Sequence, residues 1–235
     1  MDLSRRLNMI MSNIDKCTCL ADIGTDHGYV VVEALHNNLC RMAIATDINK
    51  GPLEKARKNL MFEGLAERSS CRLGGGFEPL KIGEANAAVI AGMGGNLTRD
   101  IIKHDFAKVK KMDYLVLQPA QNPEVLREYL YSHSFEILDE NVCLDDRKYY
   151  ECFKVRYNKE HNNKDKKFEE IDYEVSPVLL NKKDSTFKDY LLDKIERYKS
   201  IMTYIKDDTD AANARKEQLQ EKIRMIEEKV NSYEG

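Results

Sequence analysis

The 235-residue chain contains no run of eighteen apolar residues, so no membrane-spanning helix is expected. Its first residues, MDLSRRLNMIMSNIDKC, lack a hydrophobic stretch followed by a small-residue cleavage site, which predicts an unexported, cytoplasmic protein. Clustered cysteine pairs are missing too. Cys17 and Cys19 form one C-x-C, but Cys40, Cys71, Cys143 and Cys152 are scattered and complete no tetrahedral metal set. No metal site is expected, and a chain of this length folds without disulfide staples, consistent with a reducing compartment. There is also no excess of basic charge. With 37 lysines and arginines against 40 acidic residues the net charge is −3, which excludes nucleic-acid affinity drawn from a bulk positive field. Local clusters remain at Arg5-Arg6, Lys108-Lys110-Lys111 and Lys164-Lys166-Lys167, and any contact with a polyanion would begin there.

What is present is an alternation. The chain is 42% hydrophobic, and short apolar segments at 19–23, 42–46, 70–73, 87–90 and 114–117 alternate with helical patterns. That habit predicts an α/β domain on a mainly parallel sheet. Segments 136–144 and 149–157 are separated only by 145–148, so the last two of seven strands should form an antiparallel hairpin. A doubly wound sheet with this ending differs from the all-parallel dinucleotide fold and resembles the class I methyltransferase architecture, a Rossmann-like sheet. After Tyr157 the polar stretch NKEHNNKDKKFEE marks a boundary, giving expected domains of 1–157 and 158–235. Beyond it, Phe187, Leu191, Ile195, Tyr198, Met202 and Ile205 recur at helical spacing, as do Leu219, Ile223, Ile226 and Val230 after the polar break DDTDAANA. Two amphipathic helices with narrow apolar stripes predict a C-terminal coiled-coil appendage.

The loops at the strand ends hold the chemistry. Ala21-Asp22-Ile23-Gly24-Thr25-Asp26-His27-Gly28 joins the first strand to a helix. Its glycines let backbone approach a ligand at a helix N-terminus. A G-x-G-x-x-G dinucleotide loop would need glycine where this chain has Asp26 and Tyr29, so NAD is disfavoured. Acidic side chains repel a pyrophosphate but suit S-adenosylmethionine, which has no phosphate and bears a sulfonium and an ammonium. Asp47 ends the second strand 25 residues beyond Asp22, where nucleoside-binding folds put a carboxylate against the ribose hydroxyls. Ile48 and Asn49 adjoin it, and Pro52 is expected at the first position of the next helix. The third loop supplies Gly75 and Gly76 for backbone contact with adenine and Phe77 to flank the ring, and the fourth supplies Ala91, Gly92 and Met93. Asp22, Gly24, Thr25 and Gly28 complete the cofactor set. The same loops would also serve a methyltransferase acting on a small molecule or protein, or a non-catalytic cofactor-binding module.

Taken together, ADIGTDHG, ATDINKGPLEKA, GGGFEPL, IAGMGG and LVLQPAQNPEVLREYL resemble the bacterial tRNA (adenine-22-N1)-methyltransferase family, the TrmK family, over essentially the whole chain. The resemblance implies a tRNA substrate and methyl transfer to N1 of an adenine. AGMG replaces the [N/D]PP[Y/F] turn that grips exocyclic amines, consistent with attack by a ring nitrogen. On that footing Asp26 is the candidate for stabilising the cationic product ring, His27 for orienting it or meeting the base, and Gln118 for a base or cofactor contact. Arg5 and Arg6 are candidates for RNA. A helical arm that clamps tRNA together with the 164–167 cluster is a further expectation. Oligomeric state is not fixed by the sequence.

Overall fold

The computed structural model describes residues 3–161 and 168–231. The chain divides into two compact units, residues 1–166 and 167–235.

In the first unit seven strands form one sheet: β1 (Cys17–Ile23), β2 (Cys40–Asp47), β3 (Ser69–Leu73), β4 (Ala87–Ala91), β5 (Tyr114–Gln118), β6 (Phe135–Asp145) and β7 (Lys148–Tyr157). Their spatial order is β3-β2-β1-β4-β5-β7-β6. β1 to β5 are parallel, and β7 runs antiparallel to both β5 and β6. The central strands are covered on both faces, which is why they read as unbroken apolar runs rather than alternating ones. Leu20, Ala21, Ile23, Val89, Ile90, Val116 and Leu117 are all fully buried or nearly so. The sheet starts at β1, winds outward to β3, then returns to β4. The carboxyl ends of β1 and β4 therefore flank the switch point where ligands bind in open α/β sheets.

Among the described residues the sheet is accompanied by the α-helices α1 (Arg5–Ser12), α2 (Tyr29–His36), α3 (Lys50–Phe62), α4 (Gly95–His104), α5 (Phe106–Val109) and α6 (Pro123–Ser132). α1 was not foreseen, because a single eight-residue segment beginning with two arginines offers little periodicity. It is fixed by Ser4, whose hydroxyl accepts from the Leu7 N–H, and by burial of Met9 and Ile10. Pro52 is the third helical residue of α3, not the first: Asn49 is the N-cap and the helix begins at Lys50. All three opening positions lack an intrahelical acceptor, so proline is tolerated at each. Beneath the terminal hairpin Arg127 of α6 is fully buried between Glu140 of β6 and Glu151 of β7.

The second unit contains α7 (Glu170–Glu174), α8 (Pro177–Lys182), α9 (Ser185–Tyr204) and α10 (Asp210–Asn231). α10 packs on α9, burying Leu191 and Ile195 together with Leu219, Ile223, Ile226 and Val230. The stretch expected as a polar break is helical from Asp210 onward, since alanine-rich DAANA forms the opening turn and Thr209 accepts from the Ala212 N–H. Glu174 is buried among Lys194, Lys222 and the Tyr198 hydroxyl. Burial opposes its ionisation, but the two ammonium groups prevail and hold its pKa at about 2.

Candidate active site

Two cavities open at the carboxyl edge of the sheet and share Gly24. One, of about 370 Å³, lies between the loops after β1, β2 and β3 and one side of α4. The other, of about 400 Å³, lies between the loop after β1, the end of β4 and α1.

Gly24 holds the two together. Its φ is +75°, a left-handed conformation that favours glycine, and the tip of the Met93 side chain reaches over it, 2.1 Å from where a Cβ would stand. The N–H groups of Gly24 and Thr25 both donate to the Thr46 carbonyl at 2.8 Å, drawing this loop onto the end of β2. Gly28, with φ +73°, caps α2, and a Cβ on it would press on Ala56 of α3 at 3.1 Å. Between them His27 adopts φ +59°, a strained conformation for a residue with a side chain.

Asp22, at the end of β1, is 4% exposed. Burial, reinforced by the nearby charge of Asp47, pushes its carboxyl up to about 6. Among the described residues no lysine, arginine or histidine forms an ion pair with it. Asp47 lines the first cavity, and its Oδ1 accepts the Asn49 N–H at 2.6 Å. That contact is an Asx-type turn, and the helix cap is Asn49 rather than Asp47. Asn49 therefore serves the helix start and does not line the cavity. Ile48 is 72% exposed and forms one apolar wall.

Gly74, Gly75 and Gly76 present backbone to the first cavity. Phe77 does not flank it: its ring is fully buried, its N–H donates to Asp105 Oδ2, and Lys108 donates to its carbonyl while pairing with Asp105. With the ring in the core, the apolar wall falls instead to Leu97 and Ile101 of α4. These two residues were missed because a helix contributing to the site from outside the strand-end loops leaves no local motif. Lys108, read as part of a basic surface cluster, is half-buried and engaged with Asp105 and the Phe77 carbonyl, whereas Lys110 and Lys111 are exposed.

Around the second cavity stand Asp22, Asp26, Tyr29, Arg6 and Ala91. The Asp26 carboxylate is exposed and lies 3.4 Å from His27 Nε2, while the His27 ring is parallel to that of Tyr29 with centroids 5.5 Å apart. Gln118 is fully buried at the end of β5. Its Oε1 accepts from Arg6 Nη1 at 2.9 Å and its amide donates to the Pro119 carbonyl, so it reaches the cavity through Arg6. A Cβ on Gly92 would lie 3.5 Å from the same guanidinium. Arg5 is exposed on α1. Lys164, Lys166 and Lys167 lie outside the described residues. No cluster of three or more potential metal ligands occurs among the described residues, and no described helix is long and apolar enough to cross a membrane.

Comparison with known proteins gives a consistent set of likenesses. The family model for TrmK, tRNA (adenine(22)-N(1))-methyltransferase, matches residues 20–228. The tRNA (adenine(22)-N(1))-methyltransferase of Bacillus subtilis (strain 168) is 30% identical over 97% of both chains. The crystal structure of that organism's TrmK superposes with a TM-score of 0.86, covering 97% of this chain and 99% of that one. Streptococcus pneumoniae Sp1610, solved with S-adenosyl-L-methionine, is 26% identical with a TM-score of 0.85, covering 97% of this chain and all of that one. M. capricolum TrmK, solved with S-adenosyl-homocysteine, is 28% identical with a TM-score of 0.82, covering 97% of this chain and 98% of that one.

Proposed function

The chain belongs to the TrmK family of tRNA (adenine(22)-N(1))-methyltransferases, and from that membership we infer an enzyme that moves a methyl group from S-adenosylmethionine to N1 of adenine 22 in tRNA. The observation that carries the reading is the family match across both units, joined to an acidic, glycine-lined cleft at the switch point of the sheet. S-adenosylmethionine supplies an activated methyl group, and its transfer to adenine N1 moves the positive charge from sulfur to the methylated ring.

The residues divide between two tasks. In the first cavity Asp47 would hold the ribose hydroxyls, while the backbone of Gly75 and Gly76 faces the adenine and Ile48, Leu97 and Ile101 enclose it. Asp22 would balance the ammonium, and its elevated pKa supports that role: a buried carboxylate with no internal cation is stabilised by a cationic ligand. Thr25, Gly28, Asn49 and Phe77 would shape these loops rather than touch the cofactor.

In the second cavity the substrate adenine would enter between Asp26, Tyr29 and Arg6. N1 already has a lone pair, so no general base is required and the protein's work is alignment. The exposed Asp26 carboxylate would stabilise the charge developing on the ring. His27, 3.4 Å from it, would orient it. Arg6, steadied by Gln118, would hold the incoming nucleotide. We read α9 and α10 as a short coiled-coil pair, on the spacing of Leu219, Ile223, Ile226 and Val230.

Incubation with methyl-labelled S-adenosylmethionine and bulk tRNA, DNA, protein or metabolite extract tests the reading. Label is expected in tRNA. Label confined to protein or metabolites, or no transfer to any extract, would contradict it.

A further inference from the structure

Beside the second cavity, α1 and the β6–β7 hairpin bring together side chains of which only Arg6 enters the reading above. Asp145 and Lys148 face each other across a two-residue turn in which Asp146 has φ +45° and Arg147 φ +62°. Turns with both central residues left-handed strongly favour glycine at the second. An arginine there is strained, and Arg147 is exposed at the tip.

The neighbouring cations are held in place. Lys148 Nζ lies 5.0 Å from the centroid of the Tyr150 ring, and the Arg6 guanidinium carbon lies 5.4 Å from the same centroid. Arg6 is fixed again by Gln118 at 2.9 Å. Further along the hairpin, Arg156 pairs with Glu136 and Lys154 with Asp15. By contrast, among the described residues Arg5, Arg6, Arg147 and Lys148 form no ion pair with a carboxylate. Asp145 and Asp146 adjoin the tip and moderate its potential without neutralising the four cations together. Cations held over an aromatic ring lose little freedom when they meet an anion.

We propose that Arg147 and Lys148 at the hairpin tip, with Tyr150 holding Lys148 and Arg6, form a docking ledge for the RNA phosphates that flank the target adenine. This rests on the tRNA-methylating reading above and deepens it. The ledge adjoins the cavity where the base would enter, and its chemistry complements a phosphate backbone.

The test compares R147G/K148Q with the control K110Q/K111Q, which removes two exposed cations elsewhere. Unmodified tRNA binding is titrated over a salt series, alongside S-adenosylmethionine calorimetry, melting temperature and methylation kinetics. R147G/K148Q is expected to melt no lower than the unaltered protein, since glycine relieves the turn, and to bind S-adenosylmethionine equally well. Its KM for tRNA should rise several-fold with kcat unchanged. The slope of log affinity against log salt should fall by about 1.5, at roughly 0.7–0.9 for each phosphate that is no longer neutralised. Y150L should reproduce part of this weakening and Y150F should not. A KM and salt slope equal to those of K110Q/K111Q would overturn the ledge, as would a fall in kcat at constant KM. An equal weakening of binding to an acidic peptide and to tRNA would also overturn it in favour of a protein partner. If the unaltered protein methylates no tRNA, it is the underlying function that fails instead.

Discussion

Asp22 and Asp47 end adjacent strands, yet the first is buried at the edge of the second cavity and the second is half-buried in the first, and their tests differ accordingly. Asp47→Ala should weaken S-adenosylmethionine binding by about 1–3 kcal/mol, because two ribose hydroxyls lose a charged acceptor, and calorimetry on the folded variant measures it. For Asp22 the expectation is a pH dependence. Its carboxyl is raised from 3.8 to about 6, so between those values the native state retains a proton that the unfolded chain has released. The ligand-free protein should therefore lose stability as pH climbs from about 4 to about 6, and cofactor affinity should rise over the same interval as the carboxylate forms. Asp22→Asn should flatten both trends in melting temperature and calorimetry, and an unaltered slope would remove Asp22 from the account. Asp26→Asn should slow single-turnover methylation far more than it weakens cofactor binding; equal effects on both would make Asp26 a cofactor ligand. These carboxylates were legible in the sequence because strand-end spacing fixes where they fall. Phe77 was not, because an aromatic after three glycines reads the same whether it meets a ligand or the core, and only tertiary packing decides.

At the level of elements, period and punctuation revealed all seven strands, the hairpin and both long helices. Continuous apolar runs ending in glycine or acidic residues leave few other readings. What they missed has two causes. α1 is short, α10 starts in polar residues with high helix propensity, and α4 contributes a wall to the site through Leu97 and Ile101. α1 and the wall from α4 depend on tertiary contacts more than on a pattern of their own, whereas the opening turn of α10 rests on its alanines. The second unit's helices depend on Glu174, whose carboxyl lies well below its ordinary value of 4.5 because of Lys194 and Lys222. A lowered carboxyl pKa contributes stability that is complete above about 4.5 and is lost as pH falls toward 2. Glu174→Gln should lower the stability of the second unit by about 3 kcal/mol near neutrality by leaving two ammonium groups without their partner. It should also reduce the dependence of that unit's unfolding on acid, followed by circular dichroism.

Across the whole molecule, charge is unevenly suited to an RNA substrate. From Phe168 to Asn231 there are twelve lysines and arginines against fifteen acidic residues, so this part of the chain is itself slightly acidic. It is a poor source of counterion release, and the unpaired cations beside the second cavity are a better one. Removal of 167–235 should leave S-adenosylmethionine binding nearly intact and weaken tRNA binding with little change in its salt slope; full-efficiency methylation by a folded, truncated protein would exclude any RNA role for the second unit. The central claim is the identity of the methylated atom. Reverse transcription of tRNA treated with the protein and S-adenosylmethionine reads it directly, because a methyl on N1 blocks the pairing edge of adenine. The account predicts a new stop at position 22, absent without cofactor and absent from a tRNA with guanine at that position. Methyl incorporation without a stop at position 22, or with a stop elsewhere, would contradict it.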